Sequence, residues 1–98
     1  MATVRMYSTQ ICPYCVRAEN LLTRKGVEVQ KILIDHNPTE LRTMIELTGR
    51  RTVPQIFIGD KHVGGYDDLV ELDMDGELEP LLKAWLSIDV LLKFNFKT

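Results

Sequence analysis

Cysteine is scarce in this chain: two residues in 98, Cys12 and Cys15, three positions apart. No second cysteine pair exists, so the four-ligand set usual for structural zinc is missing, and no metal is expected. His36 and His62 lack the spacing that would complete such a site. A bridge between residues this close encloses a tiny loop and adds little stability through chain entropy. Long apolar runs are also missing; nothing approaches the roughly 18 to 20 residues that span a bilayer. A charge excess of either sign is absent too, since 12 basic and 14 acidic side chains leave a formal charge of -2. That balance argues against the clustered basic surface of a nucleic-acid binder and against a polybasic membrane patch. The opening residues Met1-Ala2-Thr3-Val4-Arg5 lack the apolar core of a secretory signal, so the expected location is the cytoplasm. Thiols are kept reduced there, and a cysteine pair is expected to serve chemistry rather than stapling. No internal repeat or low-complexity linker is visible.

Hydrophobic residues make up 45% of the chain, enough for the core of one compact domain. Val4 to Ser8 alternates and predicts a first strand. Pro13, welcome at a helix start, then Val16, Ala18, Leu21 and Leu22, and finally Gly26 predict a helix over 13–25. The β-branched stretch over 27–35 predicts a second strand. Asn37-Pro38-Thr39-Glu40 predicts a capped helix that closes at Gly49. Gln55 to Ile58 and Lys61 to Gly64, joined by Gly59-Asp60, predict a hairpin. A third helix is expected from about Asp67 and is broken by Gly76. A fourth is marked by Leu78, Leu81, Leu82, Trp85 and Leu86. The order β-α-β-α-β-β-α-α defines an α/β fold with a four-stranded mixed sheet flanked by helices.

A Cys-x-x-Cys pair that follows a strand and opens a helix is a strong redox signal. The attacking species is the thiolate, and its pKa falls at a helix N-terminus. Unpaired N–H groups and the positive end of the helix dipole stabilise the anion there. Cys12 lies on the cap side of the helix and Cys15 about a turn inside. That asymmetry assigns attack to Cys12 and resolution to Cys15.

Cys12-Pro13-Tyr14-Cys15 resembles the dithiol active site of the glutaredoxins. Thr52-Val53-Pro54 and Gly64-Gly65-Tyr66-Asp67-Asp68-Leu69 resemble two further signatures of that family, in order and spacing. The likeness covers roughly residues 3 to 86 and is greatest to the short bacterial members. It implies a thioredoxin-like fold over 1–86 and a cis Val53–Pro54 bond. It also implies glutathione as co-substrate. The backbone of Val53 would pair with the glutathionyl cysteine as an added strand does. Amides around Gly65, Tyr66, Asp67 and Asp68 would hold the γ-glutamyl carboxylate. An aspartate there would pair with the α-amine, and Asp67 or Asp68 could equally be a helix cap. Tyr14 and Thr52 would line the same groove.

There are departures from the family pattern. Thr9 and Gln10 stand where a lysine is common, and Leu41 where a basic or amide residue is. That leaves Arg42, Arg50 or Arg51 as candidates for the glycine carboxylate of glutathione. The implied function is a glutathione-dependent thiol–disulfide oxidoreductase acting on disulfide-bonded and glutathionylated proteins, as a monomer. Two alternatives remain at this point: an electron donor recharged by thioredoxin reductase, and an iron–sulfur cluster-binding protein. The proline and tyrosine between the cysteines speak against the second. The apolar tail over 87–98 lies beyond the matched region, and its spacing at Ile88, Leu91 and Leu92 predicts an ordered segment without chemistry of its own.

Overall fold

The computed structural model describes residues 3–83. The tail over 87–98, with Trp85 and Leu86, lies outside the described residues. The elements follow in the order β1 (Val4–Ser8), α1 (Pro13–Arg24), β2 (Val29–Leu33), α2 (Pro38–Thr48), β3 (Gln55–Ile58), β4 (Lys61–Gly64) and α3 (Tyr66–Met74). A further helical segment starts at 78 and runs to the last described residue. The strands form one mixed sheet in the order β2-β1-β3-β4, with β1 parallel to β2 and antiparallel to β3.

Local chemistry sets the helix ends. Pro13 and Pro38 sit in the first turns of α1 and α2, where a missing N–H costs nothing. Asn37 caps α2 by accepting from the Glu40 N–H at 3.3 Å. Gly49 ends that helix in the left-handed conformation, at φ 70°. Strand β2 is shorter than the apolar run suggests. Val27 and Ile34 are buried beyond the paired residues of β2, although the Ile34 N–H still donates to the Ser8 carbonyl at 2.9 Å.

β1 and β3 are central, and alternation sends their side chains to two different cores. Val4, Met6, Ile56 and Ile58 join Ala18, Leu22, Leu69 and Leu78 in the larger cluster, under α1 and α3. Tyr7 and Phe57 face the other way and meet Ile34 and Met44 of the smaller cluster, under α2. Their rings pack edge to face with centroids 6.1 Å apart. The sheet is therefore covered on both faces. Leu22 is fully buried, whereas Met74 is 81% exposed. Leu22→Ala should lower unfolding free energy by about 2–5 kcal/mol and Met74→Ala by less than about 0.5 kcal/mol, read from urea midpoints. Equal effects would mean that the larger cluster is not the stabilising core.

Candidate active site

Three loops leave the same end of the sheet. The Tyr7↔Gln55 register sets the end of β1 beside the start of β3. The Ile56↔Gly64 pairing brings the end of β4 to the same place. The segments that follow β1, precede β3 and follow β4 carry Cys12, Thr52-Val53-Pro54 and Gly65 respectively.

Cys12 is the N-cap of α1 and is joined to Cys15 as a disulfide, with Cα atoms 5.2 Å apart. The Cys15 backbone N–H donates to Cys12 Sγ at 3.1 Å. The first turn of α1 holds no acidic side chain to oppose negative charge on that sulfur. Cys12 is half-buried, while Cys15 is 3% exposed and belongs to the core. A reduced Cys12 thus has an amide donor, a helix dipole and access to solvent, and Cys15 has the apolar surroundings that disfavour a thiolate.

One open groove, about 350 Å³, brings together all eight further residues singled out in the sequence: Tyr14, Thr52, Val53, Pro54, Gly65, Tyr66, Asp67 and Asp68. The Val53–Pro54 bond is cis. Tyr14 and Tyr66 face each other across the starts of α1 and α3, with ring centroids 6.0 Å apart. The guanidinium of Arg17 lies 5.3 Å from the Tyr14 ring centre. The cysteines line a separate cleft of about 590 Å³, with Thr9, Gln10, Val16, Glu19, Lys31 and Leu33 among its walls. Thr9 and Gln10 therefore belong to that second cleft.

Asp68 does two things at once. It accepts from the Gly65 N–H at 2.8 Å and pairs with Arg50 at 3.0 Å. The Gly65 amide first, and then the Arg50 guanidinium, hold its carboxyl below the usual carboxylate range. Gly64 makes room for this: its φ is 119°, and a Cβ there would collide with the Asp68 carboxylate. Of Arg42, Arg50 and Arg51, only Arg50 lines the groove. Leu41, where the family pattern favours a polar residue, packs against the smaller core cluster instead.

Two residues with a place in the site escaped the sequence reading. Gln55 is fully buried, and its amide Nε2 donates to the Thr52 carbonyl at 3.1 Å. His62 Nε2 lies 2.8 Å from Gln55 Oε1. Burial first, and then Arg50, push the His62 pKa below its ordinary value, with Asp68 opposing. No local pattern could have found the pair, because the contact depends on the β3–β4 pairing. Among the described residues, no group of three or more His, Cys, Asp or Glu side chains is arranged to hold a metal ion. No helix among them is long and apolar enough to cross a membrane.

The mixed sheet, its flanking helices and a cysteine pair at the first helix start define a thioredoxin-like redox protein. The Glutaredoxin family profile matches residues 4–63. Glutaredoxin 3 of Escherichia coli (strain K12) is 53% identical over 83 residues, covering 85% of this chain and all of that protein. The crystal structure of a buckwheat glutaredoxin–glutathione complex superposes with a TM-score of 0.78 at 35% identity, covering 85% of this chain and 78% of that one. The solution structure of glutaredoxin from Brucella melitensis gives a TM-score of 0.75 at 49% identity, covering 85% and 90%. The chain belongs to the glutaredoxin family, and that membership implies thiol–disulfide oxidoreductase activity.

Two outcomes follow from this geometry. In Cys15→Ser, thiolate absorbance should show Cys12 ionising well below the free-thiol value of about 8.5, and in Cys12→Ser, Cys15 should not. Matching titration curves would remove the basis for assigning attack to Cys12. The second outcome concerns Asp68. Because its folded pKa is depressed, its stabilising effect is present above the unfolded value and is lost as pH falls through the folded one. The stability gap between the wild-type chain and Asp68→Asn should therefore narrow as pH drops below about 4. A gap that stays constant from pH 7 to pH 3, measured by urea unfolding, would show that the Asp68 charge is not what matters.

Proposed function

We propose that this chain is a glutathione-dependent oxidoreductase that reduces glutathionylated thiols and protein disulfides. Cys12 is the nucleophile, Cys15 the resolving thiol, and the groove from Tyr14 to Asp68 is the glutathione site. The observation that carries this reading is the Cys15 N–H aimed at Cys12 Sγ beside a groove that gathers all eight expected residues. The similar buckwheat glutaredoxin, solved as a complex with glutathione, supports the choice of co-substrate.

The chemistry proceeds by thiolate exchange. The Cys12 thiolate attacks the glutathione sulfur of a mixed disulfide, and the protein thiolate leaves and takes up a proton. A Cys12–glutathione disulfide remains. A second glutathione, as thiolate, attacks that disulfide, frees Cys12 and leaves as oxidised glutathione. With a protein disulfide, Cys12 attacks one sulfur, and Cys15 then displaces the substrate thiol to close the Cys12–Cys15 bridge. Two glutathione molecules reopen that bridge.

In this reading the start of α3 takes the γ-glutamyl end of glutathione. Gly65's N–H is occupied by Asp68, so the γ-glutamyl carboxylate takes the amides of Tyr66 and Asp67, the first two positions of α3. Asp68 receives the α-amine. Arg50, on the groove wall and 3.0 Å from Asp68, stands at that same γ-glutamyl end. The substrate proteins, a cytoplasmic location and a monomeric state belong to the same reading.

Cys12→Ser should abolish turnover of every substrate. Cys15→Ser should retain turnover of a glutathionylated peptide and lose reduction of a protein disulfide, because only the latter needs an internal thiol. A Cys15→Ser chain inactive on the glutathionylated peptide would refute the single-thiol step.

A further inference from the structure

The wall that carries Val53 and Pro54 has no strand or helix of its own. It runs from the end of α2 to the start of β3 and is fixed at separate points. At its start the Arg50 N–H donates to Thr48 Oγ1 at 3.0 Å. At its centre Gln55 Nε2 donates to the Thr52 carbonyl at 3.1 Å and reaches Thr52 Oγ1 at 3.3 Å. A carbonyl only accepts, so this bond decides which way the Gln55 amide faces. Its oxygen then faces His62, and His62 Nε2 must carry the hydrogen that joins them at 2.8 Å. The His62 ring is held in turn on Phe57, with centroids 5.0 Å apart and planes inclined by 30°. The result is a continuous chain of contacts from β4 through β3 to the groove wall.

On stability grounds alone, a buried hydrogen bond is a weak reason for an amide at this position. Replacing both partners of a buried hydrogen bond by apolar groups of similar shape is often nearly neutral. Gln55 lies at a fully buried position at the start of a strand that continues as Ile56-Phe57-Ile58, where an apolar side chain would serve packing. A buried amide with every polar atom engaged instead fixes a single geometry, here that of the Thr52 peptide. Thr52 immediately precedes the residue whose backbone is assigned to the glutathionyl cysteine.

We propose that His62 and Gln55 are positioning residues of the Cys12 site: two hydrogen bonds in series hold the Thr52-Val53-Pro54 wall where a glutathionylated substrate binds. This rests on the reading of the groove as the glutathione site. The brace touches neither sulfur, so it governs substrate binding and leaves the ionisation of Cys12 alone.

The test compares His62→Phe, His62→Gln and Gln55→Leu with the wild-type chain. His62→Phe keeps a ring on Phe57 and removes the donor; His62→Gln restores an N–H at similar reach. The readouts are KM and kcat for a glutathionylated peptide, the rate of Cys12 alkylation by iodoacetamide in the reduced protein, and the melting temperature. Breaking the series at either residue should raise KM by about three- to tenfold in His62→Phe and Gln55→Leu. kcat and alkylation rate should stay at wild-type values, and His62→Gln should recover most of the KM. His62→Gln disturbs packing more than His62→Phe does, so its recovery separates the donor from the fold. An active wild-type chain with unchanged KM in both donor-lacking variants overturns the proposal alone. So does a KM rise matched by slower alkylation and a lower melting temperature in all three variants, which marks general loosening. A wild-type chain that does not turn over the glutathionylated peptide overturns the groove reading and the proposal with it.

Discussion

The pairing register of β3 is the constraint on which the rest depends. With Tyr7 opposite Gln55 and Ile56 opposite Gly64, three loops emerge at one end of the sheet. A slip of one residue would turn Ile56 and Ile58 out of the larger core and Phe57 out of the smaller one. Both faces of β3 are buried, so such a slip has no face on which to hide the error. The packing that stabilises the fold is thus the same packing that brings Cys12, Pro54 and Gly65 together. That coupling explains why a groove built from irregular segments can hold a defined shape.

Electrostatics then divides the labour between two helix starts. The N-terminus of α1 carries no acidic residue, and its cap is the sulfur itself. The N-terminus of α3 carries Asp67 and Asp68, and Asp68 takes up the Gly65 amide and the Arg50 guanidinium. One helix start is left free to stabilise a developing anion. The other has its N-cap amide taken up by the Asp68 carboxylate. Because Asp68 spends one lone pair on the Gly65 amide, it acts as a helix cap and remains a charged groove residue at once. Gly64 is the backbone condition for both, since only a residue without a side chain fits beneath that carboxylate.

Burial distinguishes the two cysteines more sharply than sequence distance does. Only Pro13 and Tyr14 separate them, yet Cys15 lies in the apolar cluster beneath α1 and Cys12 stands at its rim. Desolvation raises the cost of charge on one sulfur while the amide lowers it on the other. The apolar cluster therefore withholds solvent from Cys15, in addition to holding the sheet and helices together.

Whatever depends on neighbours along the chain was legible from the residues alone. Pro13, Asn37 with Pro38, Gly49 and the Gly59-Asp60 turn marked element ends through local backbone chemistry. The Cys-x-x-Cys spacing at a helix start carried the redox reading, and the three signatures carried the family. Contacts that cross from one element to another emerged with the folded arrangement. Arg50 meets Asp68 across 18 residues, and His62 meets Gln55 across a hairpin with an irregular register. Leu41 goes to the core and Thr9 and Gln10 to the second cleft, which no spacing rule announces. The physical reason is that caps and turns are satisfied within a few residues, whereas a buried amide or an ion pair finds its partner only after strand register has fixed who stands opposite.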